Sequence, residues 1–389
     1  MNVDVAIIGA GPAGLCFSRF LEGSGLSVVL VEQQAAESLR EPAFDGREIA
    51  LTHASRHILE RLDIWQQFDP AEISPLRDAQ VLDGESLFAM KIEAERSGHE
   101  ELGYLVPNQA IRRAAFASIS AGGNAQLRAG VRLVSLHQQS DGVALKLSDG
   151  STIQARLLVA ADSRFSETRR MLGIGADMRD FGRSMMVCRM DHEVPHHHVA
   201  WEWFDYGQTL ALLPLNGNRS GVVLTLPQHA MHQIMALDEA DFAAEMTKRF
   251  SGRLGAMKQA GSRHLYPLVG VYAQRLIAQR AALIGDAAVG MHPVTAHGFN
   301  FGLQSGEKLA SRVLEAYRAG RDIADPALLE SYERAHRLAT WPIYQGTNFV
   351  ASLYTDDRMP AKWLRKAVLR VADHVAPLKK AIAAHLTQA

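Results

Sequence analysis

The stretch Val3-Asp4-Val5-Ala6-Ile7-Ile8-Gly9-Ala10-Gly11-Pro12-Ala13-Gly14, followed as far as Glu32, decides the fold. Val3, Val5, Ile7 and Ile8 make a β-branched apolar run, which predicts a strand buried on both faces. The glycines turn the chain, Leu15 to Leu21 has helical spacing, and a second apolar run from Val28 ends at Glu32. In such a βαβ unit one glycine makes the tight turn, one lets the backbone approach a pyrophosphate, and one seats helix against sheet. Pro12 and Ala13 open the helix, whose N-terminus offers free N–H groups and a positive dipole end to phosphates. Glu32 lies about twenty residues past the loop, where a carboxylate accepts hydrogen bonds from an adenosine ribose and repels a 2′-phosphate. An ordinary glycine turn explains neither the spacing nor the acid, so the unit reads as a dinucleotide site.

The chain around it has 389 residues, enough for two domains or one large one with a substantial core. A net charge of -1 with 21% charged residues implies no basic face, and nucleic acid is not an expected partner. Two cysteines, Cys16 and Cys188, make no disulfide framework and suit a reducing cytosol. The N-terminus enters a strand at once without a basic leader, and no apolar run reaches the length of a membrane span. A cytoplasmic protein is expected.

Beyond Glu32, Asp45-Gly46-Arg47 leads into Glu48-Ile49-Ala50-Leu51 and a helix from His53 to Leu62. Arg47 can pair with a phosphate, although alone it reads as a solvated arginine. Leu76 to Met90 reads as a hairpin turning at Asp83-Gly84, and Asn108 to Ser120 as a helix. Val131 to Val159 is a meander whose last strand, ending at Asp162, returns to the first sheet. Ser184–Met190, Val199–Phe204, Thr209–Leu215 and Gly221–Leu226 follow without room for crossover helices, so they predict an antiparallel sheet of their own, the expected substrate layer. His196-His197-His198 invites a metal reading, but adjacent strand residues point to opposite faces, and a loop of solvated histidines is the better account; no metal is expected. Asp238 to Phe250 is an amphipathic helix.

A second informative stretch lies some 270 residues after the first. Ala281 to Ile284 is a buried strand, Gly285-Asp286 ends it, and Met291-His292-Pro293-Val294-Thr295-Ala296-His297-Gly298 loops into a helix from Phe299 to about Tyr317. An aspartate at a strand end can bind a polyol hydroxyl, and another helix N-terminus can hold negative charge. His292 and His297, with Pro293 between them, are the candidate catalytic positions, because histidine titrates near neutrality and can steer a phenol or a proton. Plain loop hydrogen bonding is the alternative.

These motifs, in this order and over essentially the full length, resemble the FAD-dependent aromatic hydroxylases of the para-hydroxybenzoate hydroxylase class. Asp45-Gly46-Arg47-Glu48-Ile49-Ala50-Leu51, Ala211-Leu212-Leu213-Pro214-Leu215 and Tyr266-Pro267-Leu268 resemble the ubiquinone-biosynthesis hydroxylases, and the loop around His292 their broad-regiospecificity, UbiM-type branch. The resemblance implies an α/β fold: a Rossmann-like FAD-binding domain over residues 1–72, 104–180 and 270–340, an inserted antiparallel-sheet substrate domain over 73–103 and 181–269, and a helical C-terminus over 341–389. It implies that Gly9, Gly11, Gly14 and Glu32 hold the ADP half of FAD and Arg47 its phosphate side. Asn108, Arg112 and Asp162 would lie along the cofactor, Asp286 on the ribityl and pyrophosphate end, and Gly298, Phe299 and Asn300 on the isoalloxazine. Ser163 stands where the family has glycine after the aspartate, and Ala296-His297-Gly298 where it has Gly-Gln-Gly.

In this class NAD(P)H reduces the flavin, O₂ adds at its C4a position, and one oxygen atom passes to an electron-rich ring. No second glycine fingerprint is visible, so NAD(P)H is expected as a transient co-substrate, and the expected substrate is a hydrophobic polyprenyl phenol or quinol. Three alternatives remain open: a hydroxylase of a small soluble aromatic, a flavin-dependent isoprenoid reductase, and a non-catalytic flavoprotein scaffold. Ala361 to Leu386 sets Trp363, Leu364, Val368, Val371 and Leu378 among six basic residues and one acid, a pattern for peripheral contact with the inner face of a membrane. A packed helix pair is its alternative, and a homo-oligomer or biosynthetic complex is compatible with either.

Overall fold

A computed structural model describes residues 1–84, 89–119, 125–205, 207–292 and 297–355. The first strand, Asn2–Ile8, lies between two parallel neighbours, Val28–Glu32 on one side and Thr152–Ala160 on the other. Its Val5, Ala6 and Ile7 are fully buried, as the unbroken apolar run requires of a strand covered on both faces. The sheet extends in parallel through Ala125–Ala129 at one end and Ala281–Leu283 at the other. The expected meander, Leu133–Gln138 and Val143–Leu147, pairs antiparallel onto Thr152–Ala160. Helices Pro12–Phe20 and Gly298–Arg318 pack beside this sheet, Gly306 of the second leaving room for Phe17 and Phe20 of the first.

A second sheet has eight strands, in the order Val289–Gly290, Met257–Ala273, Ala176–His192, Arg219–Pro227, Gln208–Leu215, Val199–Asp205, Asp78–Asp83 and Ala89–Glu93. It contains the four expected antiparallel strands but is mixed, because Asp78–Asp83 joins Val199–Asp205 in parallel. That strand arrives from a distant part of the chain, so no hairpin fixes its direction. Met257–Ala273 was not foreseen as a strand: Gly261, Pro267 and Gly270 interrupt its alternation, and it pairs with Ala176–His192 through two register shifts. Both 17-residue strands run unbroken past positions 180 and 269, and helix Pro326–Thr355 runs past 340, so the expected division at those points falls inside continuous elements. Helices Gln228–Ala236 and Glu239–Arg249 cover the back of this sheet over Met186, Cys188, Leu210, Leu212 and Leu224. Asp238 caps the latter helix, accepting from Asp241 N at 2.8 Å.

A three-stranded antiparallel sheet, Glu48–Leu51, Gly103–Pro107 and Ser74–Leu76, joins the two larger ones. The histidine run is a loop, as expected, with His197 exposed and His198 half-buried, but its first ring is not solvated. His192 and His196 are buried, His196 Nε2 donating to Leu215 O at 2.8 Å and His192 Nε2 bonding Ser220 Oγ at 3.0 Å. Positive φ at His197 and His198 doubles the chain back, so the His196 ring contacts those of His192 and His198 while His197 stays exposed. The segment Ala361 to Leu386 lies outside the described residues.

Candidate active site

Three glycines shape the loop after the first strand. Gly9 has φ +103, and a Cβ there would lie 2.5 Å from Ala161 O; a Cβ on Gly14 would lie 1.9 Å from Gly9 O. Both are forced by backbone approaching backbone. Gly11 has nothing within 4 Å of its Cβ position, because it faces a cavity. Helix Pro12–Phe20 begins there with proline at its first turn, so its free N–H groups point into the same space.

The second loop closes onto the first. Gly285, at φ +59, approaches Ala13 so closely that a Cβ would sit 2.8 Å from the Ala13 Cβ, and its N–H donates to Ser305 Oγ at 3.0 Å. Asp286 then stands at the cavity wall, its Oδ2 accepting from Arg164 Nη2 at 3.0 Å. Glu32 accepts from Ala10 N at 2.8 Å and from Gln34 N at 2.9 Å, which fixes the carboxylate at the mouth of the glycine loop. Each oxygen keeps a lone pair for a further donor.

Arg47 reaches the cavity as part of a cluster. Its guanidinium binds Asp45 Oδ2 at 2.6 Å, Asn108 Nδ2 donates to the same oxygen at 2.7 Å, and the Tyr266 hydroxyl donates to Asp45 O at 2.7 Å. Burial alone would raise the Asp45 carboxyl, but Arg47 and Asn108 outweigh it and hold it below the usual carboxylate range. Arg112 bonds Gln34 Oε1 at 3.2 Å on the same wall. Asn300 clamps the small sheet to the long helix, its Nδ2 donating to Ala50 O at 2.9 Å and its Oδ1 accepting from Thr52 N at 3.2 Å. Asp162 is held by Ser166 and by Thr168 N, at the head of the short helix Glu167–Met171. Ser163 beside it has φ +82, a conformation that glycine adopts without strain.

Burial, with Arg164 adding to it, pushes His292 down to about 4, so its ring is neutral at pH 7 and lies edge-on to Phe181 at 4.8 Å. His297 is buried and stacks on Phe301 at 5.4 Å. Pro293 lies outside the described residues.

Gly9, Gly11, Pro12, Ala13, Glu32, Arg47, Asn108, Arg112, Asp162, Asp286, His292, His297, Gly298, Phe299 and Asn300 thus line one cavity of about 1730 Å³. Gly14 alone of the described expected positions does not line it, since its role is packing. A drug-sized ligand fills about 300–1,000 Å³, so this cavity has room for a dinucleotide and a second molecule. The glycine loop and Glu32 form one lobe. The other is apolar, walled by Leu76, Val81, Met90, Leu102 and Phe204 and by Ile343 and Val350 of the last helix.

Several lining groups were given no role by the sequence reading. Arg164 and Tyr266 act through backbone and carboxylate partners distant in sequence. Glu48 binds Arg189 at 2.7 Å through Oε1, while its Oε2 is buried without a partner. Glu202 projects from the apolar strand Val199–Asp205 into the cavity, and removal from bulk water pushes its carboxyl up to about 8. An acid alternating with Ala200 and Phe204 was the available signal.

The family described as FAD binding domain matches residues 2–347. The ubiquinone hydroxylase UbiM of Neisseria meningitidis is 46% identical, over 100% of this chain and 85% of that protein. The ubiquinone hydroxylase UbiL of Rhodospirillum rubrum is 35% identical, over 98% of this chain and 89% of that protein. Among solved structures, p-nitrophenol 4-monooxygenase PnpA from Pseudomonas putida has a TM-score of 0.78 over 99% of this chain and 98% of that one, at 17% identity, a likeness of fold.

Proposed function

This chain belongs to the FAD binding domain family, and from that premise we propose that it is a flavin-dependent monooxygenase hydroxylating a polyprenylated phenol or quinol of ubiquinone biosynthesis. The observation that carries the reading is full-length similarity to ubiquinone hydroxylases, and the apolar lobe beside the glycine loop fits a greasy aromatic substrate. FAD fits this cavity because Gly11, unlike Gly9 and Gly14, leaves its Cβ space empty at the helix N-terminus, which is the place for a pyrophosphate. When bound, FAD supplies the O₂ chemistry and takes its electrons from NAD(P)H.

The chain's own residues bind, orient and exclude water. Gly9, Gly11, Pro12 and Ala13 would hold the pyrophosphate, Glu32 the adenosine ribose, and Arg47, Arg112 and Asn108 the flank of the cofactor. Asp286 would bind the ribityl end, Gly298 to Asn300 would support the ring system through their backbone, and Asp162 would brace the wall. Neutral His292 can hold a hydrogen bond to the substrate or its neighbours without adding charge, and His297 lines the same cavity. Apolar walls keep water from the reacting centre.

Among the described residues no helix is long and apolar enough to cross a membrane. We propose that the substrate is taken from the bilayer surface through the basic C-terminal segment. Incubating the holoenzyme with a polyprenyl phenol, NAD(P)H and ¹⁸O₂ should place one labelled oxygen on the ring. Label from water, or consumption of NAD(P)H without O₂ uptake, overturns the monooxygenase reading; the latter result would point to a reductase.

A further inference from the structure

The substrate-facing side of the second sheet carries one acid in the middle of an apolar row. Strand alternation puts Ala200, Glu202 and Phe204 on the face opposite Trp203, which packs into the core behind the sheet. Glu202 pairs with Val81 on one neighbouring strand and Ala211 on the other, Ala211 with Val223, and Val223 with Val187. Paired residues share a face, so the row Val81, Glu202, Ala211, Val223, Val187 lies side by side, and all five line the cavity.

No described side chain forms a hydrogen bond or ion pair with the Glu202 carboxyl. The other acid of this lobe, Glu48, has its own cation in Arg189, and its chain lies over Gly221, 3.2 Å from where a Cβ would be. An ionised carboxylate left alone among valines and alanine is costly, so the group stays protonated, as its upward shift indicates. A protonated carboxyl has one O–H to donate and a carbonyl to accept, and in an apolar wall such a group wants a partner.

We infer that Glu202, as the neutral acid, grips the oxygen substituent of the aromatic ring and so sets which ring carbon faces the flavin. The inference rests on the hydroxylase reading above and deepens it by naming what the site recognises: a ring carrying a hydroxyl. The acid exchanges hydrogen bonds with that hydroxyl and takes no proton from it. A glutamine has the same shape, one donor and one acceptor, whereas a leucine has neither.

The test uses FAD-loaded protein, with flavin absorbance reporting the binding of 2-geranylphenol and of geranylbenzene, which lacks the ring oxygen. The wild type should prefer the phenol, and Glu202→Gln should keep that preference within about threefold. Glu202→Leu should lose roughly tenfold in preference, the worth of one neutral hydrogen bond in such a site, and should scatter the position of hydroxylation. Glu202→Gln also guards against a folding defect. If the wild type does not bind the phenol, the hydroxylase reading falls and this inference with it. If the wild type binds and hydroxylates the phenol while Glu202→Leu keeps its full preference, this inference alone is overturned. A loss in Glu202→Gln as large as in Glu202→Leu also overturns it, because a neutral donor would then not suffice.

Discussion

Of the three fingerprint glycines, Gly14 and Gly9 are held by backbone contact, and Gly11 by what the cavity must admit. A Cβ at Gly11 meets no atom within 4 Å and points into the cavity, so Gly11→Val should fold with nearly wild-type stability yet purify without flavin. Gly14→Val should fail differently, losing folded protein, because its Cβ would overlap Gly9 O. Flavin absorbance and thermal unfolding of the two variants separate these outcomes, and a yellow Gly11→Val protein with unchanged FAD affinity would sink the site. The fingerprint is legible from sequence because its spacing is set by local backbone geometry. Ser163 is legible as a departure from the family but not as strain, since its φ of +82 shows only in the structure. Glu202 was hidden for another reason: its meaning comes from neighbours on four other strands, which no local pattern displays.

At the level of elements, the strands and helices with clean periods could be read, and those that serve two layers could not. Met257–Ala273 runs from the second sheet toward the core of the first, and its glycines and proline accommodate the register shifts while erasing the alternation. The last helix also has two duties. Ile343, Gly346 and Val350 line the cavity, while Leu338, Trp341 and Phe349 are exposed by 79%, 41% and 55% on another side. Such an apolar stripe, followed in the sequence by the basic residues from Lys362 to Lys380, suits docking on an anionic membrane. The full chain should float with anionic liposomes and lose binding at high salt, while Leu338→Glu with Phe349→Glu weakens flotation. If a chain ending before Pro360 stays folded and floats as well as the full one, the C-terminal segment is not the anchor.

Across the whole molecule, the two sheets and the small one between them enclose a cavity whose lining groups lie hundreds of residues apart, and burial there and in the core sets the response to acid. Burial pushes His336 down to about 3, against the face of Tyr332, and His292 to about 4. Unfolded, both rings bind a proton near 6.5, so between that value and their folded ones the unfolded chain carries more protons. Their contribution is therefore full above about 6.5 and is lost as the pH falls toward 4 and then 3. Glu202 acts with the opposite sign, since a raised carboxyl favours the fold below its ordinary value and loses that effect as the pH rises toward 8. His336 lies outside the cavity lining, so its effect can be isolated without touching flavin or substrate. His336→Gln offers a polar side chain that does not titrate, and any uniform cost of the substitution shifts the whole curve without changing its slope. Between pH 7.5 and pH 5 the His336→Gln protein should lose about 2 kcal/mol less stability than the wild type in urea unfolding of the flavin-loaded protein. Parallel pH profiles for the two proteins would show that His336 titrates alike in the folded and unfolded chain, and that its burial does not keep it neutral.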